Sequence, residues 1–87
     1  MKVAYARKFL RSFRKLPSDI QDNFRKKEKL FRKEPFHFQL RTHKLKGREE
    51  WSFLITYSVR VLFFLIPRQL AARFQYRIPS PELALGF

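Results

Sequence analysis

The sequence predicts an α+β fold: an N-terminal strand and a helical hairpin packed on a small twisted antiparallel sheet. Apolar residues recur at helical spacing from Phe9 to Phe31, then alternate from Trp51 onward. Pro17, Pro35 and Pro67 punctuate the changes of period. The 87 residues allow one small core, and 45% hydrophobic content with eleven Phe is enough to build it. That domain is expected at residues 1–78, with 79–87 as an irregular C-terminal tail.

Lys2-Val3-Ala4-Tyr5 reads as a short strand with Val3 and Tyr5 on one face. From Arg7 the period is helical. Phe9, Leu10, Phe13 and Leu16 form an apolar stripe, and Arg7, Lys8, Arg11, Arg14 and Lys15 fill the rest of the surface. Pro17 ends this helix, because a residue preceding proline is pushed out of helical geometry. Ser18-Asp19-Ile20-Gln21 reads as a capping box, with Ser18 as the cap and Gln21 reaching back. The second helix would bury Ile20, Phe24, Leu30 and Phe31, and carry Arg25, Lys29, Arg32 and Lys33 outside. It should stop near Glu34-Pro35, and so short a turn between helices implies an antiparallel hairpin.

Residues 36–42 read as a loop. Trp51, Phe53, Ile55 and Tyr57 then alternate with Ser52, Leu54, Thr56 and Ser58, as in a half-buried strand. Val59 to Ile66 is almost wholly apolar, which predicts a central strand covered on both sides. After Pro67, the residues Ala72, Phe74, Tyr76 and Ile78 alternate with Arg73, Gln75 and Arg77. This predicts a last strand whose arginines share one face.

Charge narrows the function. Twenty Lys+Arg against seven Asp+Glu give a net charge of +13, the electrostatic footprint of a nucleic-acid binder. An acidic protein could answer the same surface. The absence of cysteine excludes disulfides and thiolate zinc sites and fits a reducing cytoplasm. Met1 to Lys8 lacks the apolar core of a signal peptide. The longest apolar run, Val61–Ile66, is far below the ~20 residues that span a bilayer, so a cytoplasmic protein with no membrane partner is expected. Two histidines without cysteine argue against a metal, two glycines exclude a glycine-rich phosphate loop, and no cofactor is expected.

Two residues carry candidate chemistry. Arg60 interrupts an apolar strand and shares a side with Leu62 and Phe64. Its planar fork would either hold a phosphate or pair with Glu49 or Glu50 across the hairpin, and spacing leaves both open. His43, followed by Lys44 and Lys46 before Gly47, could move protons at a phosphodiester while the cations steady it. A surface histidine before a glycine turn would look the same. His37, between Phe36 and Phe38, reads as a loop residue.

The order of Phe9-Leu10-Arg11-Ser12-Phe13-Arg14-Lys15-Leu16-Pro17, Leu30-Phe31-Arg32-Lys33-Glu34-Pro35, His43-Lys44-Leu45-Lys46-Gly47, Trp51-Ser52-Phe53 and Val59-Arg60-Val61-Leu62-Phe63 resembles the RelE/ParE toxin superfamily of type II toxin–antitoxin systems. The resemblance spans residues 1 to about 66. It implies a ribosome-dependent, metal-independent mRNA endonuclease in which the ribose 2′-hydroxyl attacks the adjacent phosphate. It also implies an acidic antitoxin as partner, beside ribosome and mRNA. On this resemblance Arg60 contacts the scissile phosphate and His43 is an acid–base residue. Lys44 and Lys46 hold basic positions of the family's H-x-L-x-G motif and are assigned to phosphate binding. Arg41, Arg48, Arg73 and Arg77 complete the expected RNA-binding set. The family's closing glycine-x-histidine motif with its following aromatic has no counterpart after Ile66. That departure keeps an alternative in view, a non-catalytic member that inhibits gyrase or only binds its antitoxin. A plain RNA-binding protein would rest on charge alone.

Overall fold

Strand β1 (Lys2–Tyr5) passes through Ala6 into helix α1 (Arg7–Arg14), and helix α2 (Ser18–Lys33) follows directly after Pro17. A 3-10 turn (Phe38–Leu40) leads to the short strand β2 (His43–Lys44). Strands β3 (Trp51–Thr56) and β4 (Val59–Ile66) form a hairpin, and a second 3-10 turn (Pro67–Gln69) precedes β5 (Ala71–Pro79). This computed structural model describes residues 1–79; residues 80–87, most of the expected tail, lie outside the described residues.

The helical hairpin is tied together differently from the expected capping box. Ser18 is already helical, Pro17 occupies the N-cap position with extended geometry, and no side chain caps the helix. Gln21 does reach back, but across the turn: its Nε2 donates to the carbonyls of Phe13 (3.2 Å) and Leu16 (3.1 Å). The Phe13 carbonyl also accepts from the Leu16 N–H at 3.1 Å, so Gln21 adds a second donor there, reaches the Leu16 carbonyl beyond the end of α1, and ties the two helices across the turn.

The sheet has five strands in the order β1-β5-β4-β3-β2. The pairs β2–β3, β3–β4 and β4–β5 are antiparallel, as expected, but β1 pairs with β5 in parallel. The sheet is therefore mixed. A parallel pair needs a long crossover, and here the whole segment between Ala6 and Leu70 supplies it.

Both helices cover one face of the sheet. Phe9, Phe24 and Phe31 meet Phe53, Val61, Phe63 and Phe74 in a continuous buried cluster. Phe31 stacks on Phe53 at 4.7 Å between ring centres and meets Phe63 edge-on at 5.0 Å. Such pairs add about 0.5–1.5 kcal/mol each beyond area burial. The opposite face carries a smaller cluster of Leu45, Leu62 and Tyr76. Leu62 is fully buried against Leu45 and Tyr76, while Arg60 and Phe64 on the same side are half-buried, so the expected cover on both sides holds only at the middle of β4.

One irregularity re-aims β5. Its register against β4 moves from Leu62↔Tyr76 to Phe63↔Phe74, which leaves Gln75 as an extra, bulged residue. Directly opposed residues point to the same side, so Phe74 faces the helices while Tyr76 faces away. The expectation that the β5 arginines share a face is thereby corrected. Arg73, opposite Phe64, points away from the helices, and Arg77, opposite Val61, points toward their side.

Candidate functional site

The sheet face turned away from the helices gathers the polar and cationic groups. Arg60 lies opposite Leu54 on β3, and His43 lies opposite Ser52, so all four positions share this face. Arg60 Nη1 donates to the hydroxyl of Ser52 at 3.3 Å. Ser52 is fully buried, and Arg60 is half-buried. Among the described residues no carboxylate lies within ion-pair distance of Arg60. The expected alternative of a pair with Glu49 or Glu50 does not form.

Glu50 is occupied elsewhere. Arg48 grips its carboxylate through two nitrogens, at 3.0 and 2.5 Å. The Tyr76 hydroxyl donates to Glu50 Oε2 at 3.1 Å and accepts from Arg48 at 3.1 Å. This network ties the β2–β3 turn, with Gly47 at φ +72, to the inner strand β5.

Burial, and after it the charge of Arg41, holds the Arg60 guanidinium below its ordinary pKa. Arg41 follows the 3-10 turn in the left-handed region, with φ at 49. A half-buried guanidinium under the repulsive charge of an exposed second arginine is a place where an anion would be bound with gain. His43 Nδ1 lies 2.9 Å from the Arg41 carbonyl. A carbonyl only accepts, so Nδ1 carries the hydrogen in that bond, and Nε2 is the acceptor of the neutral ring.

The structure brings together Arg41, His43 and Arg60, with Ser52 between them. It does not bring all the expected residues there. Lys44 pairs with Trp51 and so points to the helical side. Lys46 is exposed in the β2–β3 turn, where Lys44, Lys46, Gly47, Arg48 and Glu49 line a shallow hollow. Arg48 is committed to Glu50 and Tyr76. Arg73 shares the face of Arg60 but lies four positions along β4, about 13 Å away. Arg77 points to the other side, and its Nε is buried without a hydrogen-bond partner. Sequence reasoning missed Ser52 and Tyr76, and offered Glu50 to Arg60 where the structure gives it to Arg48. Ser52 was findable from strand parity, because only the polar side of β3 could face Arg60.

No protein-family model matches the chain, and no curated protein matches it. Solved structures do. A chain of the archaeal RelE–RelB complex from Pyrococcus horikoshii superposes with a TM-score of 0.76 at 15% identity, covering 90% of this chain and 92% of that one. The chain has the fold of the RelE/ParE toxins. A YoeB/ParE toxin from Agrobacterium tumefaciens gives a TM-score of 0.74 at 14% identity, with 91% of this chain and 98% of that chain covered. The Escherichia coli RelBE toxin–antitoxin complex gives 0.70 at 18% identity, covering 87% and 92%. With the RelE-like fold, Arg60 on β4 and His43 on β2 sit on the helix-free face of the shared sheet. No helix among the described residues is long and apolar enough to cross a membrane.

Proposed function

We propose that the chain is the toxin of a type II toxin–antitoxin pair and cleaves mRNA on the ribosome. The observation that carries this is the half-buried Arg60 guanidinium, held by the neutral hydroxyl of Ser52 with no carboxylate among the described residues within ion-pair distance. Such a group gains from a phosphate. In the proposed reaction the 2′-oxygen attacks the adjacent phosphorus and its proton passes to His43 Nε2. The bond to the 5′-oxygen breaks, and that oxygen leaves with the electron pair and takes a proton from water, while the proton on His43 is returned to solvent. The products are a 2′,3′-cyclic phosphate and a 5′-hydroxyl end, with Arg60 and Arg41 offsetting charge on the phosphorane oxygens. An acidic antitoxin is the proposed partner, since a chain of net charge +13 selects its opposite. Structures of toxin–antitoxin complexes share the fold.

Induced expression in bacteria tests this. Wild type should arrest growth, and Arg60→Ala and His43→Ala should each relieve the arrest while keeping a cooperative thermal transition. Arrest of wild-type strength in both folded variants would refute the assignment. The lack of histidine after His43 favours the second reading, a non-catalytic member. A DNA-damage response without transcript cleavage would point to gyrase, and no effect at all to antitoxin binding alone.

A further inference from the structure

The loop between α2 and β2 displays aromatic rings in a fixed arrangement. Phe38 is 79% exposed and Phe36 is 58% exposed. Two large rings held open to water two residues apart put apolar surface beside the charges of a chain carrying +13. The backbone beneath is well tied. His37 N–H donates to the Glu34 carbonyl at 3.0 Å, Leu40 N–H to the His37 carbonyl at 2.9 Å, and the Thr42 hydroxyl to the Pro35 carbonyl at 2.5 Å. The Gln39 amide donates to His37 Nδ1 at 3.1 Å, and Leu40 is fully buried as the anchor.

On this base Phe38 stacks on His37, with ring centres 4.6 Å apart and planes at 25°. Phe36 meets Trp51 edge-on at 5.6 Å. The surroundings are mainly cationic. Lys44 lies opposite Trp51 in the register, and Glu34 sits 3.9 Å from His37 Nε2 at the rim. Arg41 N–H donates to the Phe38 carbonyl at 3.3 Å, so the stacked Phe38–His37 pair adjoins Arg41.

We propose that Phe38 on His37 is a stacking platform for an unpaired base of a single-stranded RNA whose backbone phosphate lies on the neighbouring Arg41. Flat rings beside arginines suit this ligand, because every base has a face to stack while charge follows the backbone. An apolar protein segment would not need the cations. The proposal deepens the RNA reading of the site and rests on it.

The test uses purified protein and two fluorescein-labelled oligonucleotides, a uridine octamer and its abasic counterpart, read by anisotropy. Wild type should bind the uridine octamer more tightly than the abasic strand. Phe38→Ala should weaken that binding about tenfold, the order of one lost stack, and Phe38→Trp should restore it. The abasic strand should be indifferent to both substitutions. Equal affinity for the two strands, unaffected by Phe38→Ala, would overturn the platform and leave the phosphate site standing. If wild type binds neither strand, the RNA reading falls with it. If Phe38→Ala spares RNA binding but dissociates a dimer in sedimentation, the rings are an interface between copies and the proposal is overturned.

Discussion

At the scale of single residues, Arg60 shows why charge type and geometry must be argued together. A lysine would preserve its charge, yet the planar fork that can hold Ser52 and a phosphate together would be lost. Arg60→Lys should therefore lower cleavage by roughly tenfold or more with little loss of stability. Ser52→Ala should lower it less, since it loosens the guanidinium without removing it. Single-turnover rates on ribosome-bound transcripts would show this order, and equal rates for the two variants would contradict it. Tyr5 makes a different kind of claim. Burial first, and then its hydrogen bond to Glu28, raise its pKa above the ordinary 10.0. A raised value means that the folded state holds this proton more tightly, so its contribution is complete below pH 10.0 and fades above it. Denaturation midpoints measured from neutral into alkaline pH should fall less steeply for Tyr5→Phe than for wild type. Parallel curves would show that Tyr5 is not involved.

At the scale of elements, two 3-10 turns end on a non-glycine residue in the left-handed region, Arg41 and Leu70, each at φ 49. Such a conformation costs an ordinary side chain about 1–2 kcal/mol. Leu70 is also 73% exposed, so nothing is gained from its burial. Leu70→Asn should stabilise the chain by up to about 1 kcal/mol, readable as a rise of a few degrees in thermal midpoint. A fall would show that the Leu70 side chain carries contacts that outweigh its strain. The elements themselves were largely legible. The strand at Lys2–Tyr5, both helices and the β3–β4 hairpin follow from periodicity and proline placement, because each buries one clear apolar set. What was not legible depends on pairing across the chain. The bulge at Gln75 turns Tyr76 away from Phe74, although their spacing matches a regular strand. The two-residue β2 is too short to show a period and exists because His43 and Lys44 find Ser52 and Trp51. The face of β4 that carries Arg60 was legible, since strand parity puts Arg60 on the side of Leu62. The rim of the site was not, because the pairing of Lys44 with Trp51 and of Arg77 with Val61 sends both to the helical side.

At the scale of the whole molecule, the aromatic core and the cationic surface divide the labour. Phe9, Phe24, Phe31, Phe53, Phe63 and Phe74 concentrate burial on the helical side. That concentration supplies cohesion against the self-repulsion of a chain carrying +13. It also leaves the far face of the sheet available for Arg41, His43 and Arg60. The proposed chemistry makes a definite statement about its products. The most direct measurement sequences transcript ends after brief induction, sorting 5′-hydroxyl from 5′-phosphate termini. Wild type should generate new 5′-hydroxyl ends within translated regions, and Arg60→Ala should abolish them. The same ends from the Arg60→Ala chain, or new ends bearing 5′-phosphate, would contradict cleavage by a 2′-hydroxyl at this arginine.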